Sequence, residues 1–279
     1  SGSRDAPELS DSHTRAEEAV TAPGSDTPDT GTDDHLLVTD NGSVRILRLN
    51  RPKARNAMHA KLRVELKAAI SAADRDAGVT AIVLTGTDPV FSAGVDFKNL
   101  EPEPGSTGSP LEPTPAAAIR AVRKPVIAAV NGACVSGALE LALSCSFIVA
   151  SDRASFADTH ARLGVVPTWG LTALLPRAVG IRKAREMSLT GAFVGAQEAL
   201  RLGLVNQVVD HDDLLTFTLD LAARIPANGA VGEFLELYDR GADLSLSAAL
   251  NSELTHSLGR TYDLAAFTAA GTAISGGTT

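Results

Sequence analysis

One carboxylate stands out because it lies in the middle of a predicted apolar helix. Residues 132–145 read GACVSGALELALSC, a turn of small residues followed by a helix whose charged residue is Glu140. Its sequence neighbours are alanines and leucines, so this helix offers no polar face for a carboxylate. Burying an ionised carboxyl among such residues costs free energy unless the group is paired or performs chemistry. The pattern therefore predicts a paired or a functional role for Glu140.

Two turns that contain glycine offer backbone donors for an anionic oxygen. In FSAGVDF the chain passes through Ala93 and Gly94, and in VSGALE a helix begins near Gly137. Each turn exposes backbone N–H groups, and the start of the helix adds the positive end of its dipole. Either turn alone is typical of an ordinary loop. Together they predict a site for one developing negative charge on oxygen.

Composition and charge narrow the class of protein. Of the 279 residues, 44% are hydrophobic, which is enough to bury the core of a globular protein. The net charge is −8, and residues 1–34 supply most of it, with nine acidic residues against Arg4 and Arg15. The rest of the chain is nearly neutral, so we expect no nucleic-acid partner. Apolar stretches are broken by Gly, Pro or charge, so we expect no membrane insertion.

The hydrophobic periodicity predicts the elements that position these residues. Two alternating runs flank Asn41-Gly42, which favours a β-hairpin. The following segment carries apolar residues at helical spacing, and AIVLTG follows it as an apolar strand. This alternation repeats through residue 151 and predicts an α/β fold with parallel strands. Residues 101–115 are rich in Pro and Gly and are predicted to be an exposed loop.

The domain organisation follows from composition. Residues 1–34 have few large aliphatic side chains and are predicted to be a disordered acidic tail. Residues 35–205 are predicted to form the α/β core, and residues 206–279 a helical C-terminal region. The cysteines, Cys134 and Cys145, lack metal-ligand spacing, and the N-terminus has no signal-peptide pattern. We therefore expect a reduced, cytoplasmic protein with no metal site.

The sequence resembles the enoyl-CoA hydratase/isomerase family, also called the crotonase superfamily. Five blocks occur in the family's order and spacing within residues 36–210: NRPKARNAM, FSAGVDFKNL, KPVIAAVNGACVSGALELALSC, ASFADTHARLGVVPTWGLTALLPRAVG and AREMSLTGAFVGAQEALRLGLVNQVV. The resemblance implies a crotonase-like spiral of ββα units with a C-terminal helical trimerisation region. It also implies acyl-CoA thioester substrates, a homotrimer or dimer of trimers, and no cofactor apart from the coenzyme A of the substrate.

The resemblance also implies roles for the residues of the two turns. In the family, the thioester oxygen is bound by the backbone N–H groups that correspond to Val95 and Gly137. Glu140 matches the first of two family glutamates that hold and deprotonate water. Burial among apolar neighbours should raise the pKa of Glu140 toward the range useful for proton transfer.

The second family glutamate is replaced by His160. A histidine can donate or accept a proton near neutral pH and so could supply the proton to the α-carbon. It could equally be a core histidine bonded to Asp158, and the sequence leaves both interpretations open.

Coenzyme A recognition is assigned by the resemblance to residues beside these turns. Lys53, Arg55 and Lys98 occupy positions where family members hold CoA phosphates and adenine, and basic side chains suit polyphosphate. Ala93, Asp96 and Phe97 are expected to border the bound substrate.

We therefore predict an enoyl-CoA hydratase-like lyase, with fatty-acid β-oxidation as its setting. The alternatives are an enoyl-CoA isomerase, another acyl-CoA enzyme that forms an enolate, and an acyl-CoA binding protein without catalytic activity. The alternatives stay open because His160 stands where the family has its second glutamate.

Overall fold

The computed structural model describes residues 34–99 and 114–261. The predicted acidic tail at residues 1–34 lies outside these ranges except for Asp34. The predicted loop at 101–115 also lies outside them except for Thr114 and Pro115. Thr114 precedes the second helix, and Pro115 is its first, buried residue, which suits proline because the first turn of a helix needs no N–H donor there.

The first strands form the predicted hairpin, and a helix follows it. Strands β1 (Leu36–Asn41) and β2 (Val44–Leu49) pair antiparallel across a turn in which Gly42 has φ +58°. Helix α1 (Ala60–Arg75) buries Leu62, Leu66 and Ile70 along one face. The i, i+4, i+8 spacing of these residues places them on the same side of the helix.

A six-stranded sheet forms the centre of the fold. Its order is β1-β2-β3-β4-β6-β9, and β2, β3, β4, β6 and β9 run parallel. The added strands are β3 (Ala81–Gly86), β4 (Val126–Val130), β6 (Phe147–Ser151) and β9 (Gln207–Val209). Every residue of β3 and β4 is buried, as is typical of parallel strands covered on both faces.

A smaller sheet carries the segments that build the candidate site. It contains β5 (Ala133–Val135), β7 (Ser155–Ala157) and β8 (Val194–Gly195) in that order. Strands β5 and β7 pair in parallel, and Ser92 forms an additional bridge with Cys134. The chain segments that follow β5 and β7 therefore leave the sheet side by side.

Helices cover both faces of the central sheet. The next helices are α2 (Pro115–Ala121), α3 (Gly137–Ser144), α4 (Leu171–Val179), α5 (Ile181–Thr190), α6 (Ala196–Leu202) and α7 (Leu214–Ala223). One core cluster joins Leu62, Ile82, Leu139 and Trp169, and a second joins Val83 of β3 to apolar residues of α7. The predicted α/β class is confirmed.

The last helices belong to a separate compact unit. Among the described residues, those up to 231 form one compact unit and those from 232 to 261 form a second one. The C-terminal unit holds most of α8 (Gly229–Gly241) and all of α9 (Leu246–Leu258). The predicted domain boundary at residues 205 and 206 stays a prediction. Within the described ranges, every helix is too short or too polar to cross a bilayer.

Candidate active site

The carboxylate singled out in the sequence is buried on the first turn of α3. The chain leaves β5, passes through Ser136 and enters α3 at Gly137. Glu140 is 2% exposed. It is surrounded along the helix by buried alanines and leucines, so its polar atoms need partners from other parts of the chain.

Backbone N–H groups from the start of α4 hold one oxygen of this carboxylate. Glu140 Oε1 accepts hydrogen bonds from Trp169 N at 2.7 Å and from Leu171 N at 3.2 Å. Between them, Gly170 has φ +119°, a conformation that favours glycine. Oε1 is therefore fixed, and Oε2 remains for other interactions.

Glu140 Oε2 faces the imidazole of His160. Oε2 lies 3.7 Å from His160 Nε2, and His160 Nδ1 lies 2.6 Å from Asp158 Oδ1. The same Asp158 oxygen accepts the backbone N–H of His160 at 3.1 Å. An aspartate bonded at Nδ1 fixes the orientation of the ring and leaves Nε2 toward Glu140. Three buried titratable groups thus form a continuous row.

Burial and hydrogen bonding shift the two carboxyl pKa values in opposite directions. Burial raises the pKa of Glu140 above its usual value, and the N–H groups of Leu171 and Trp169 and the charge of His160 offset only part of this rise. Burial alone would also raise the pKa of Asp158, but hydrogen bonds, first from His160, outweigh it and hold this pKa below its usual value. Asp158 is thus suited to remain ionised, and Glu140 to exchange a proton.

The two predicted oxyanion donors lie next to each other. Met58 N donates to Gly94 O, and Met58 O accepts Asp96 N, in the turn that follows Ala93. The Val95 N–H between them therefore points away from Met58. A β-carbon built on Gly137 would lie 3.4 Å from Val95 N. The structure therefore brings the Val95 and Gly137 amides together at the start of the helix that carries Glu140.

The indole of Trp169 forms a wall beside these amides. A β-carbon on Gly137 would lie 3.4 Å from Trp169 Cζ3 and 3.2 Å from Val95 Cγ2. The sequence pattern did not identify Trp169 or Leu171 as partners of Glu140. The available signal was the Trp169-Gly170 pair before a helix, which marks a turn but does not show what its N–H groups bind.

The predicted CoA-binding residues lie on two adjacent segments. Ala93 N donates to Arg55 O at 2.9 Å, which holds the segment containing Lys53 and Arg55 against the predicted oxyanion turn (residues 93–97). The Lys53 side chain is exposed, and Phe97 and Lys98 are exposed at the other end of the turn. The structure therefore places Lys53 and Arg55 on one segment and Lys98 on the segment next to it.

Asp96 has a different environment from its neighbours in this set. Its carboxylate is buried and lies 3.0 Å from Arg51 Nη1, and Lys98 N donates to it at 3.3 Å. These contacts fix the shape of the turn that follows Val95. Contact of Asp96 with substrate stays a prediction.

In the part of the chain that the structure describes, His, Cys, Asp and Glu side chains do not gather into a group of three that could hold a metal ion.

The chain is similar to known proteins in both sequence and structure. The model of the family described as enoyl-CoA hydratase/isomerase matches residues 39–263. A probable enoyl-CoA hydratase of Rhizobium meliloti is 40% identical over 84% of this chain and 95% of its own length. A crotonyl-CoA hydratase of Syntrophomonas wolfei is 36% identical over 70% of this chain and 77% of its own.

Solved structures support the same relationship. The crystal structure of an enoyl-CoA hydratase from Mycobacterium smegmatis is 46% identical, covers 80% of this chain and 95% of its own, and superposes with a TM-score of 0.66. A second neighbour, from Geobacillus kaustophilus, has a TM-score of 0.75 at 34% identity, over 85% of this chain and 94% of its own. The predicted fold, with its spiral of ββα units, is confirmed by these matches.

Proposed function

The chain belongs to the enoyl-CoA hydratase/isomerase family, and from this premise we propose that it adds water across the double bond of a 2-enoyl-CoA thioester. The observation that carries the proposal is the 3.7 Å distance between Glu140 Oε2 and His160 Nε2. Glu140 lies on the helix that begins at Gly137. This geometry supports two proton-transfer groups acting beside a site for a developing oxyanion.

The thioester oxygen is proposed to lie between the N–H groups of Val95 and Gly137. Addition at the β-carbon moves electron density onto this oxygen, so donors already in place stabilise the enolate more than the ground state. The dipole of α3 adds to this effect because Gly137 is its first residue.

Two side chains then handle the protons of water. Ionised Glu140 takes a proton from water through Oε2 while the water oxygen bonds to the β-carbon. Protonated His160 delivers its Nε2 proton to the α-carbon and becomes neutral. The proton on Glu140 returns to His160 over the short gap between them, which restores both groups for the next cycle.

Asp158 is proposed to support the protonated form of His160. Its ionised carboxylate accepts the Nδ1–H of the ring and stabilises the imidazolium. This arrangement gives a histidine a defined role at the position of the second family glutamate, and it favours hydration over a binding protein without acid-base groups.

Coenzyme A is proposed to lie along the two adjacent segments, of which one carries Lys53 and Arg55 and the other carries Lys98. Exposed ammonium groups and a guanidinium suit the phosphates of the nucleotide. Ala93 and Phe97, on the oxyanion turn, are proposed to contact the pantetheine or the acyl group. No separate cofactor is proposed.

A homotrimer or a dimer of trimers is proposed as the assembly. Support comes from α9, where Leu246, Leu250, Leu254 and Leu258 repeat every fourth residue and are each more than half exposed. Such an apolar face is typical of a helix that packs against a partner. Light scattering of the purified protein measures the mass directly.

The cellular setting is proposed to be the cytoplasm, with fatty-acid β-oxidation as the process. Both cysteines are free thiols, which agrees with a reducing compartment. The substrate chemistry assigned above is that of the hydration step of β-oxidation.

The test is an assay with crotonyl-CoA. Hydration removes the conjugated thioester, so its ultraviolet absorbance should fall and the product should gain one water by mass spectrometry. A product of unchanged mass with a moved double bond would identify an isomerase. Free coenzyme A would identify a hydrolase, and binding without turnover would identify an acyl-CoA binding protein.

A further inference from the structure

Ser136 has an unusual backbone conformation beside the candidate site. Its φ and ψ are +50° and −109°, and the residue is 3% exposed. A residue with a β-carbon disfavours this region, and glycine adopts it freely. Such outliers persist only when surrounding contacts hold them. The contacts of Ser136 therefore indicate what the conformation serves.

The polar atoms of Ser136 are bonded to two segments of the site. Its N–H donates to Ala157 O at 2.9 Å, and its carbonyl accepts Glu140 N at 3.0 Å. Its hydroxyl oxygen accepts Thr159 N at 2.9 Å and lies 2.7 Å from Thr159 Oγ1. Backbone and side chain together fix this residue from both sides.

These bonds join the three parts of the proposed machinery. The residue after Ser136 is Gly137, whose N–H is a proposed oxyanion donor. The residue after Thr159 is His160, the proposed acid. The Ser136 carbonyl also begins the helical turn that carries Glu140. A shift at Ser136 would therefore move the oxyanion donor relative to both proton-transfer groups.

We propose that Ser136, through its hydroxyl bond to Thr159, is a positioning residue that sets the Gly137 amide relative to His160 and Glu140. This inference rests on the proposed function, because the geometry it sets is that of hydration. The alternative is that Ser136 is a turn residue which the fold tolerates and whose hydroxyl does not affect the site.

Three substitutions separate the hydroxyl from the backbone conformation. Ser136→Gly removes the hydroxyl and keeps a backbone that adopts φ +50° freely. Ser136→Ala removes the hydroxyl and retains the strain. Thr159→Val removes the other hydroxyl and leaves both backbones in place. Thr80→Val is the matched control, because it removes a 2.9 Å hydroxyl pair with Ser43 outside the site.

All three site variants should lower kcat for crotonyl-CoA by about 10-fold or more with KM within about 2-fold, since small misplacements of reacting groups are costly. Ser136→Ala combined with Thr159→Val should lose little more than Ser136→Ala alone, because Ser136→Ala already removes the hydroxyl pair that Thr159→Val breaks. The control should keep the parental kcat. Parental kcat in folded Ser136→Gly and Thr159→Val would overturn the proposal.

A second measurement does not depend on turnover. Bound 4-dimethylaminocinnamoyl-CoA should absorb at longer wavelength when hydrogen bonds polarise its thioester oxygen. The shift should be smaller in Ser136→Gly and Thr159→Val than in the parent and in Thr80→Val. If the parent shows the shift but hydrates no enoyl-CoA, the proposed function fails while the positioning role is still tested. An equal shift in all four proteins would contradict that role.

Discussion

Glu140 Oε2 lies 3.7 Å from His160 Nε2, while the other oxygen of the carboxylate accepts a hydrogen bond from the backbone N–H of Trp169. One oxygen is thus anchored and the other faces the imidazole. This division explains how a buried carboxylate keeps its orientation while it exchanges a proton.

Glu140→Gln should abolish hydration and leave acyl-CoA affinity within a few-fold. The carboxamide retains an oxygen for the N–H groups of Trp169 and Leu171, but it cannot take a proton from water. Turnover of crotonyl-CoA and calorimetric binding measure the two effects. Rapid hydration by this variant would leave Glu140 with a structural role only.

The same variant should be at least as stable as the parent near pH 8. Burial raises the pKa of Glu140 in the folded state, so the folded protein holds a proton that the unfolded chain has released. The contribution of this group to stability therefore falls as pH rises above 4.5, which is the pKa of the group in the unfolded chain. Thermal melting of both proteins at pH 5 and pH 8 tests this sign, and a variant that is less stable only at pH 8 would contradict it.

His160→Gln should lower kcat by about 100-fold, the usual loss when a general acid is removed. His160→Glu restores a pair of carboxylates and should retain measurable hydration. In the parent, lowering the pH should reduce kcat/KM as Glu140 becomes protonated, at a pH above that of an ordinary glutamate. A parental rate in His160→Gln would assign the histidine to structure.

Gly137→Ala should lower kcat/KM by about 100-fold or more, because it disturbs one of two oxyanion donors. The added β-carbon would lie 3.2 Å from Val95 Cγ2 and 3.4 Å from Val95 N, in the place proposed for the thioester oxygen. Gly195→Ala is the control, since its β-carbon meets no atom within 4 Å. Equal activity of the two variants would remove the oxyanion assignment.

Arg120→Gln should lower kcat by about 10-fold and move the acidic limb of the kcat/KM profile to higher pH. Arg120 Nη1 donates to Trp169 O at 3.0 Å and so holds the turn whose N–H groups bind Glu140. Those N–H groups lower the pKa of Glu140, so a looser turn lets it rise further.

His160 and Asp158 also influence the pKa of Glu140, and this substitution changes neither residue. Ser144 Oγ, the second acceptor of Arg120 Nη1, loses a bond but remains joined to Glu140 O. Arg123→Gln, which changes an exposed arginine in the same segment before β4, is the matched control. A pH profile that does not move would show that the turn holds its shape without Arg120.

Stability should fall as pH decreases from 6.5 toward 4 because of His59. Its Nδ1 accepts Leu62 N and caps α1, and burial, with the charge of Arg51, lowers its pKa to about 4. Within this window the unfolded chain binds a proton that the folded protein excludes, so stability rises with pH. His59→Asn keeps a capping acceptor and should flatten this slope in urea unfolding. An unchanged slope would assign the acid sensitivity to other groups.

Sequence periodicity determined the local elements of this protein. The alternation around Asn41-Gly42 predicted the hairpin, and apolar residues at helical spacing predicted α1, because side-chain period and burial are linked within one element. The local sequence also singled out Glu140, since a carboxylate in an apolar helix requires a partner or a function.

The partners of Glu140 were decided by the tertiary structure. Trp169 and Leu171 bind it through backbone N–H groups, which every residue except proline possesses, so their side chains carry no sign of this role. The bond between Asp158 and His160 was one of two interpretations, and only the fold shows that the ring also faces Glu140.

The physical reason is that a catalytic site depends on atoms brought together by strand pairing and helix packing. The parallel pairing of β5 with β7 places Gly137 and His160 on adjacent segments, and the turn before α4 then closes over Glu140. Local spacing fixes which way a side chain points within its own element. The atoms that a side chain contacts are set by the register between elements. Only the tertiary structure decided that register.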